Sequence, residues 1–110
     1  MNKPTVKYNA VFEKKGDLVY ISHLDLMTLF RRAIRRTSLP FVISQGFTPR
    51  VKISMPMALK LGVESLSEEM FLWMTEETDP SLIVKEINGQ LPEGVKLSEA
   101  QKAEKKKKKG

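Results

Sequence analysis

The segment Ile21–Lys52, ISHLDLMTLFRRAIRRTSLPFVISQGFTPRVK, limits what this chain can fold into more than any other stretch. Ser22, followed three residues later by Asp25, has the form of a helix N-terminus: the serine oxygen can accept from the third helical amide, and the carboxylate sits at the positive end of the helix dipole. At the helical repeat, Leu26, Met27, Leu29, Phe30, Ala33 and Ile34 share one apolar sector, while Arg31, Arg32, Arg35 and Arg36 occupy the opposite arc with Leu24, Asp25 and Thr28. Pro40 disfavours helical geometry at Leu39, so the helix should end near Thr37. A helix of this kind must lie on one apolar surface, and the rest of the chain has to supply it.

The surface is written as strands. From Thr5 to Glu13, Val6, Tyr8, Ala10 and Phe12 alternate with polar residues, with Val11 as the one misfit. Lys14–Asp17 is a turn by composition, and Leu18–Ile21 an extended run leading into the helix. Phe41–Ile43 is too short to assign alone. Val51, Ile53, Met55 and Met57 alternate as a second strand, which Pro56 places at a sheet edge or bulge. Ala58–Ser67 is a loop. Glu69–Met74 is apolar on both faces, as for a strand with a helix on one side and a second surface on the other. Asp79-Pro80 starts a second helix, with Leu82, Ile83, Ile87 and Leu91 as its inner face, and Val95–Leu97 makes a last short strand. The order β-α-β-β-α-β predicts an α+β fold, a ferredoxin-like split βαβ sandwich whose antiparallel sheet carries two helices on one face. Residues 1–100 form one such domain, and 101–110, with five consecutive lysines, are expected to be a disordered tail.

Composition narrows function. Without cysteine there is no thiolate metal site, disulfide or iron–sulfur cluster, and the single His23 cannot build a metal site alone. No cofactor or metal is expected, and no membrane: the N-terminus lacks the apolar core of a signal peptide, and no apolar run approaches the ~18 residues of a membrane span. The expected location is cytoplasmic. The net charge of +6 is unevenly spread, with eleven basic against three acidic residues over 1–60, two against nine over 61–101, and six against one over 102–110. A polyanion would therefore approach the first half.

Four segments carry a resemblance: Ser22-His23-Leu24-Asp25-Leu26, Phe30-Arg31-Arg32-Ala33-Ile34-Arg35-Arg36, Ser44-Gln45-Gly46-Phe47-Thr48-Pro49 and Met57–Ser65. In this order they resemble the hallmark segments of the radical-SAM-linked family, domain of unknown function 2344, with Thr48 in place of the usual asparagine and Arg50 in place of a common histidine. The similarity spans roughly residues 5–100, about the first half of the family's usual domain. It implies an uncharacterised bacterial accessory domain with a radical SAM protein as partner, in a setting of tRNA or rRNA metabolism. It implies no reaction.

The residues themselves leave alternatives. Arg31, Arg32 and Arg35 suit phosphate oxygens through their guanidinium forks, or form a solvated outer face. Gln45, Gly46 and Phe47 could offer backbone amides and a stacking ring to RNA, or make a tight turn around a buried phenylalanine. Arg50 and Lys52 extend the first reading. His23 is the weak candidate for catalysis, as general acid or base of a small ferredoxin-like endoribonuclease, or else a packed residue of the first helical turn. Met70, Trp73 and Met74 are core, or a docking surface if one face stays open. The leading expectation is a non-catalytic domain that binds or presents RNA, with a protein-interaction module docking a radical SAM enzyme as the alternative.

Overall fold

A computed structural model describes residues 5–57 and 61–103 of the chain; the lysine run expected to be disordered lies outside them. Its elements are β1 (Val6–Lys14), α1 (His23–Arg35), β2 (Ile53–Ser54), β3 (Ser65–Met74), α2 (Pro80–Asn88) and β4 (Val95–Lys102), with a short 3-10 turn at Gly16–Tyr20. The strands form one antiparallel sheet in the order β2-β3-β1-β4. Among the described residues, no helix is long and apolar enough to cross a membrane.

The alternation in β1 is what builds the core. Tyr8, Ala10 and Phe12 are fully buried, as are their inward neighbours Met70, Leu72 and Met74 on β3. They join Leu26, Phe30 and Ile34 of α1, Ile83 and Ile87 of α2, and Val95 and Leu97 of β4 in one cluster. Burying both helical stripes against one sheet face removes most of the chain's large apolar side chains from water. Phe12 meets Phe30 edge to face, with ring centroids 5.0 Å apart. β1 breaks register with β3 between Phe12 and Lys14, and with β4 between Val11 and Phe12, so irregularities on both sides fall at one point of the central strand.

Both helix starts follow their local chemistry. Ser22 Oγ accepts from the Asp25 amide (3.1 Å), and Asp79 accepts from the Ser81 amide (3.0 Å) with Pro80 in the first turn. Long-range polar contacts fasten the ends. Tyr8 Oη donates to the Thr78 carbonyl (2.8 Å) and accepts from the Thr78 amide (2.6 Å), holding the β3–α2 turn against β1. Asn88 donates to the Leu97 carbonyl (3.0 Å) and accepts from the Leu97 amide (2.8 Å), fixing the end of α2 to β4.

Several elements depart from expectation. Leu18–Tyr20 is not extended but belongs to the 3-10 turn, which begins where Gly16 takes a positive φ of 61°. The second strand shrinks from Val51–Met57 to Ile53–Ser54, because the next β3 positions, Trp73 and Met74, are taken by Val42 and Phe41, with Val51 and Lys52 pairing onto that segment instead, and Pro56 offers no amide. β3 begins at Ser65 rather than Glu69, since Ser65 pairs with Lys14. β4 continues past Leu97 to Lys102, paired with β1 as far as Tyr8, so Gln101 and Lys102, expected in the disordered tail, belong to the sheet. Leu82 is 42% exposed and is not part of the inner face of α2.

Replacing Tyr8 with phenylalanine should lower stability by about 2 kcal/mol, because both Thr78 backbone groups lose their partner while the ring still fills its place. Urea unfolding of the two proteins measures the difference; an unchanged midpoint would show that these hydrogen bonds contribute nothing.

Candidate nucleic-acid interface

The loop Ser44–Arg50 projects from a hairpin that extends the β2 edge of the sheet. Phe41 bridges to Met74, the Val42 amide donates to the Trp73 carbonyl (3.1 Å), and Ile43 bridges to Val51. The hairpin closes through the Ser44 amide to the Arg50 carbonyl (2.7 Å) and the Lys52 amide to the Val42 carbonyl (2.8 Å). Val51 is buried, so this leg is anchored in the core while Arg50 and Lys52 stay exposed. At the tip, Gly46 has φ 141°, a conformation side chains rarely adopt. Phe47 beside it is fully exposed, at 107% of its reference area, which corrects the reading of a turn built around a buried phenylalanine. An aromatic ring with no protein contact to explain it is a surface available to a ligand.

The four arginines do not act as one arc. Arg31 turns toward the hairpin, its Nε donating to the Val51 carbonyl (3.2 Å). Its pKa is held below the usual guanidinium value, first by burial and then by the positive charge of Arg50. Arg35, one turn on, follows Arg31 at about 40° around the helix. Arg32 and Arg36 face the other way. They line an open groove of about 610 Å³ between α1 and the end of α2, with Asp25, Thr28 and Gly89–Pro92. Two arginines near the C-terminal carbonyls of α2 are electrostatically matched to that helix end, which explains them without a ligand.

Lys52 departs from Arg50 as well. It reaches over the sheet face opposite the helices, its Nζ 4.6 Å from the Trp73 ring centroid. Lys7 comes from β1 to the same place, 4.2 Å from the Phe71 ring and 5.5 Å from that of Trp73. Contacts of this kind are worth about 0.5–1 kcal/mol each at exposed sites. Phe71 and Trp73 are half-buried there, while Met70, Leu72 and Met74 of the same strand are core. The sequence signal for this face was present in the apolar character of Glu69–Met74 on both sides. Lys7, which strand register brings over it, was not among the sequence candidates, and Lys52 was expected on the loop rather than on the sheet.

His23 stands apart. It begins α1, about 12 Å along the helix axis from Arg31. The side chain is half-buried, and its Nδ1 is buried with no hydrogen-bond partner among the described residues. Arg31 and Arg50 are brought together at the Val51 leg of the hairpin that carries Gln45, Gly46 and Phe47, whereas Arg32 lines the groove at α2, Lys52 lies over the sheet and His23 begins α1.

Among the described residues, no carboxylate forms an ion pair with the arginine cluster. The ion pairs there are Lys15–Glu13 (3.1 Å) and Lys102–Glu77 (3.3 Å), neither involving an arginine. Arg31 and Arg50 thus repel each other without a described protein anion between them, a pattern suited to an external one.

One family, described as "Uncharacterized protein conserved in bacteria (DUF2344)", matches residues 7–110. No curated protein and no solved structure matches the chain.

The uncompensated pair has a consequence for stability. Arg31 binds its proton less firmly in the folded chain, so the charged form opposes folding throughout the neutral range, where it is protonated in both states. Arg50→Ala should therefore leave the urea midpoint unchanged or slightly raised, and added salt should raise the wild-type midpoint more than that of the variant. A clearly lower midpoint for the variant would show that Arg50 supports the fold.

Proposed function

We propose that this chain, which belongs to the bacterial family DUF2344, is an RNA-binding or RNA-presenting accessory domain with no catalysis of its own. The observation that carries this reading is the fully exposed Phe47 at the tip of a core-anchored hairpin whose one leg carries Arg50 and accepts a hydrogen bond from the Arg31 side chain. The ring offers a stacking surface to an unpaired base, and the guanidinium groups offer forked donors to its phosphates. Arg35, one helical turn beyond Arg31, extends the cationic flank; Arg32 contributes only through the long-range field. The resemblance to radical-SAM-linked proteins supplies the partner in this proposal, a radical SAM enzyme acting on tRNA or rRNA in the cytoplasm. His23, about 12 Å along α1 from Arg31, has no part in it. The strand order β2-β3-β1-β4, with both helical stripes in one core, supports the reading of a ferredoxin-like split βαβ fold.

A second reading, docking of the radical SAM enzyme, is favoured by a different region. Tyr20, Leu61 and Val63 are all exposed. The Gly62 amide donates to the Val19 carbonyl (2.6 Å), which places the loop bearing Leu61 and Val63 beside Tyr20. Leu24 and Met57 are exposed nearby in the chain. The two readings are compatible, since this apolar end is separate from the hairpin. Met70 and Met74 are core, so the β3 strand could add to a docking surface only through its other face, at Phe71 and Trp73.

Titrating the full-length chain into end-labelled single-stranded RNA at low salt tests the first reading by anisotropy. Phe47→Ala and the double substitution Arg31→Ala with Arg50→Ala should each weaken binding about tenfold while circular dichroism stays unchanged. The double variant should also flatten the salt dependence by about 0.7 in log–log slope for each phosphate it no longer holds. Equal binding by all three proteins would remove the hairpin from the interface.

A further inference from the structure

We infer that the open face of the sheet is a base-stacking platform, on which Trp73 receives an unpaired base of RNA while Lys7 and Lys52 hold the flanking phosphates. This deepens the RNA reading above and rests on it. The register makes the face. Lys7 lies opposite Trp73, Asn9 opposite Phe71, and Ser54 pairs with Phe71 from the other side. Around the two rings stand Lys7, Lys52, Asn9, Ser54 and Gln101, which include two cations and no carboxylate. Further along the same face the charge reverses, with Val11 opposite Glu69 on β3 and Glu99 on β4. A polyanion is drawn to the ring-bearing end and repelled from the other, so charge selects RNA over a basic or apolar protein segment as occupant.

The platform also continues the hairpin site. The Val42 amide bonds to the Trp73 carbonyl, and Lys52 is two residues from Arg50. A single strand leaving Phe47 and Arg50 thus meets Lys52 and then Trp73 at successive nucleotides. The lysines now lie over the rings, 4.2–5.5 Å from the centroids. Stacking of a base displaces each ammonium sideways onto a phosphate, exchanging a weak cation–ring contact for a charge-assisted one. Every base has a π-face, so the platform is indifferent to sequence and prefers unpaired strands to duplex.

Trp73 is the chain's only tryptophan, and its emission reports this face alone. Titrating the full-length protein with oligouridylate should quench that emission saturably, with salt reversing the quench. By anisotropy of end-labelled oligouridylate, Trp73→Leu should bind about tenfold more weakly and Trp73→Phe close to wild type. The pair Lys7→Gln and Lys52→Gln, which gives up the ring contacts but no core packing, should weaken binding and reduce the salt slope. Thermal melts of each variant separate weakened stacking from unfolding, and the lysine variant carries the test if Trp73→Leu fails to fold. Binding with unchanged tryptophan emission, and with wild-type affinity in the Trp73 and lysine variants, overturns the platform and leaves the hairpin site standing. Absence of any oligouridylate binding at low salt overturns both. Protection of Trp73 from an aqueous quencher by a purified radical SAM protein, but not by oligouridylate, would overturn the platform and assign the face to protein instead.

Discussion

The edge-to-face contact of Phe12 with Phe30 is the joint on which the molecule is assembled. It binds the later part of the inner strand β1 to the middle of the longer helix, and everything else is placed relative to those two elements. Burying both rings draws Leu26 and Ile34 onto the inward residues of β1 and β3. Once α1 is seated, its unburied flanks are assigned: one toward the β2 edge, the other toward the end of α2. The arginines go wherever the helix is not in contact. Their division into two pairs is therefore a product of core packing.

The hairpin before β2 then turns packing into a charged surface. Val51 is held in the core, and its carbonyl accepts the Arg31 side chain, so the leg can neither rotate nor slip without exposing an apolar residue and losing that bond. Alternation along this leg sends Arg50 and Lys52 outward, one beside Arg31 and the other across the sheet to Trp73. A single short segment thereby links helix, loop and sheet face into one basic, aromatic margin. Glu69 and Glu99 follow on the same face, where they flank Val11 and not Lys7 or Asn9.

Helix boundaries and the core were legible in the sequence because their causes are local. Ser22 and Asp79-Pro80 announce helix starts by their own hydrogen-bonding chemistry, and Tyr8, Ala10 and Phe12 show their common face by spacing alone. The second strand was overestimated because Phe41 and Val42 take the β3 positions it would have paired with, a competition between segments that spacing does not show. The exposure of Phe47 could not be read from letters that equally describe a closed turn. The company of Trp73 depends on β1 pairing with β3 from distant parts of the chain. Hydrophobic patterning identifies which face of an element is buried; it is blind to which charged side chains converge on the face left open.

Asn88 has an effect beyond joining α2 to β4. β4 is the outer strand on its side of the sheet, and such strands present unused amides and carbonyls to any passing chain. The carboxamide of Asn88 mimics a peptide group and occupies both backbone groups of Leu97 on that outward side. One side chain serves there as a one-residue strand. It interrupts the template that another molecule would need to add itself to the sheet, so this border is guarded against intermolecular β-pairing and fibril growth without a further strand.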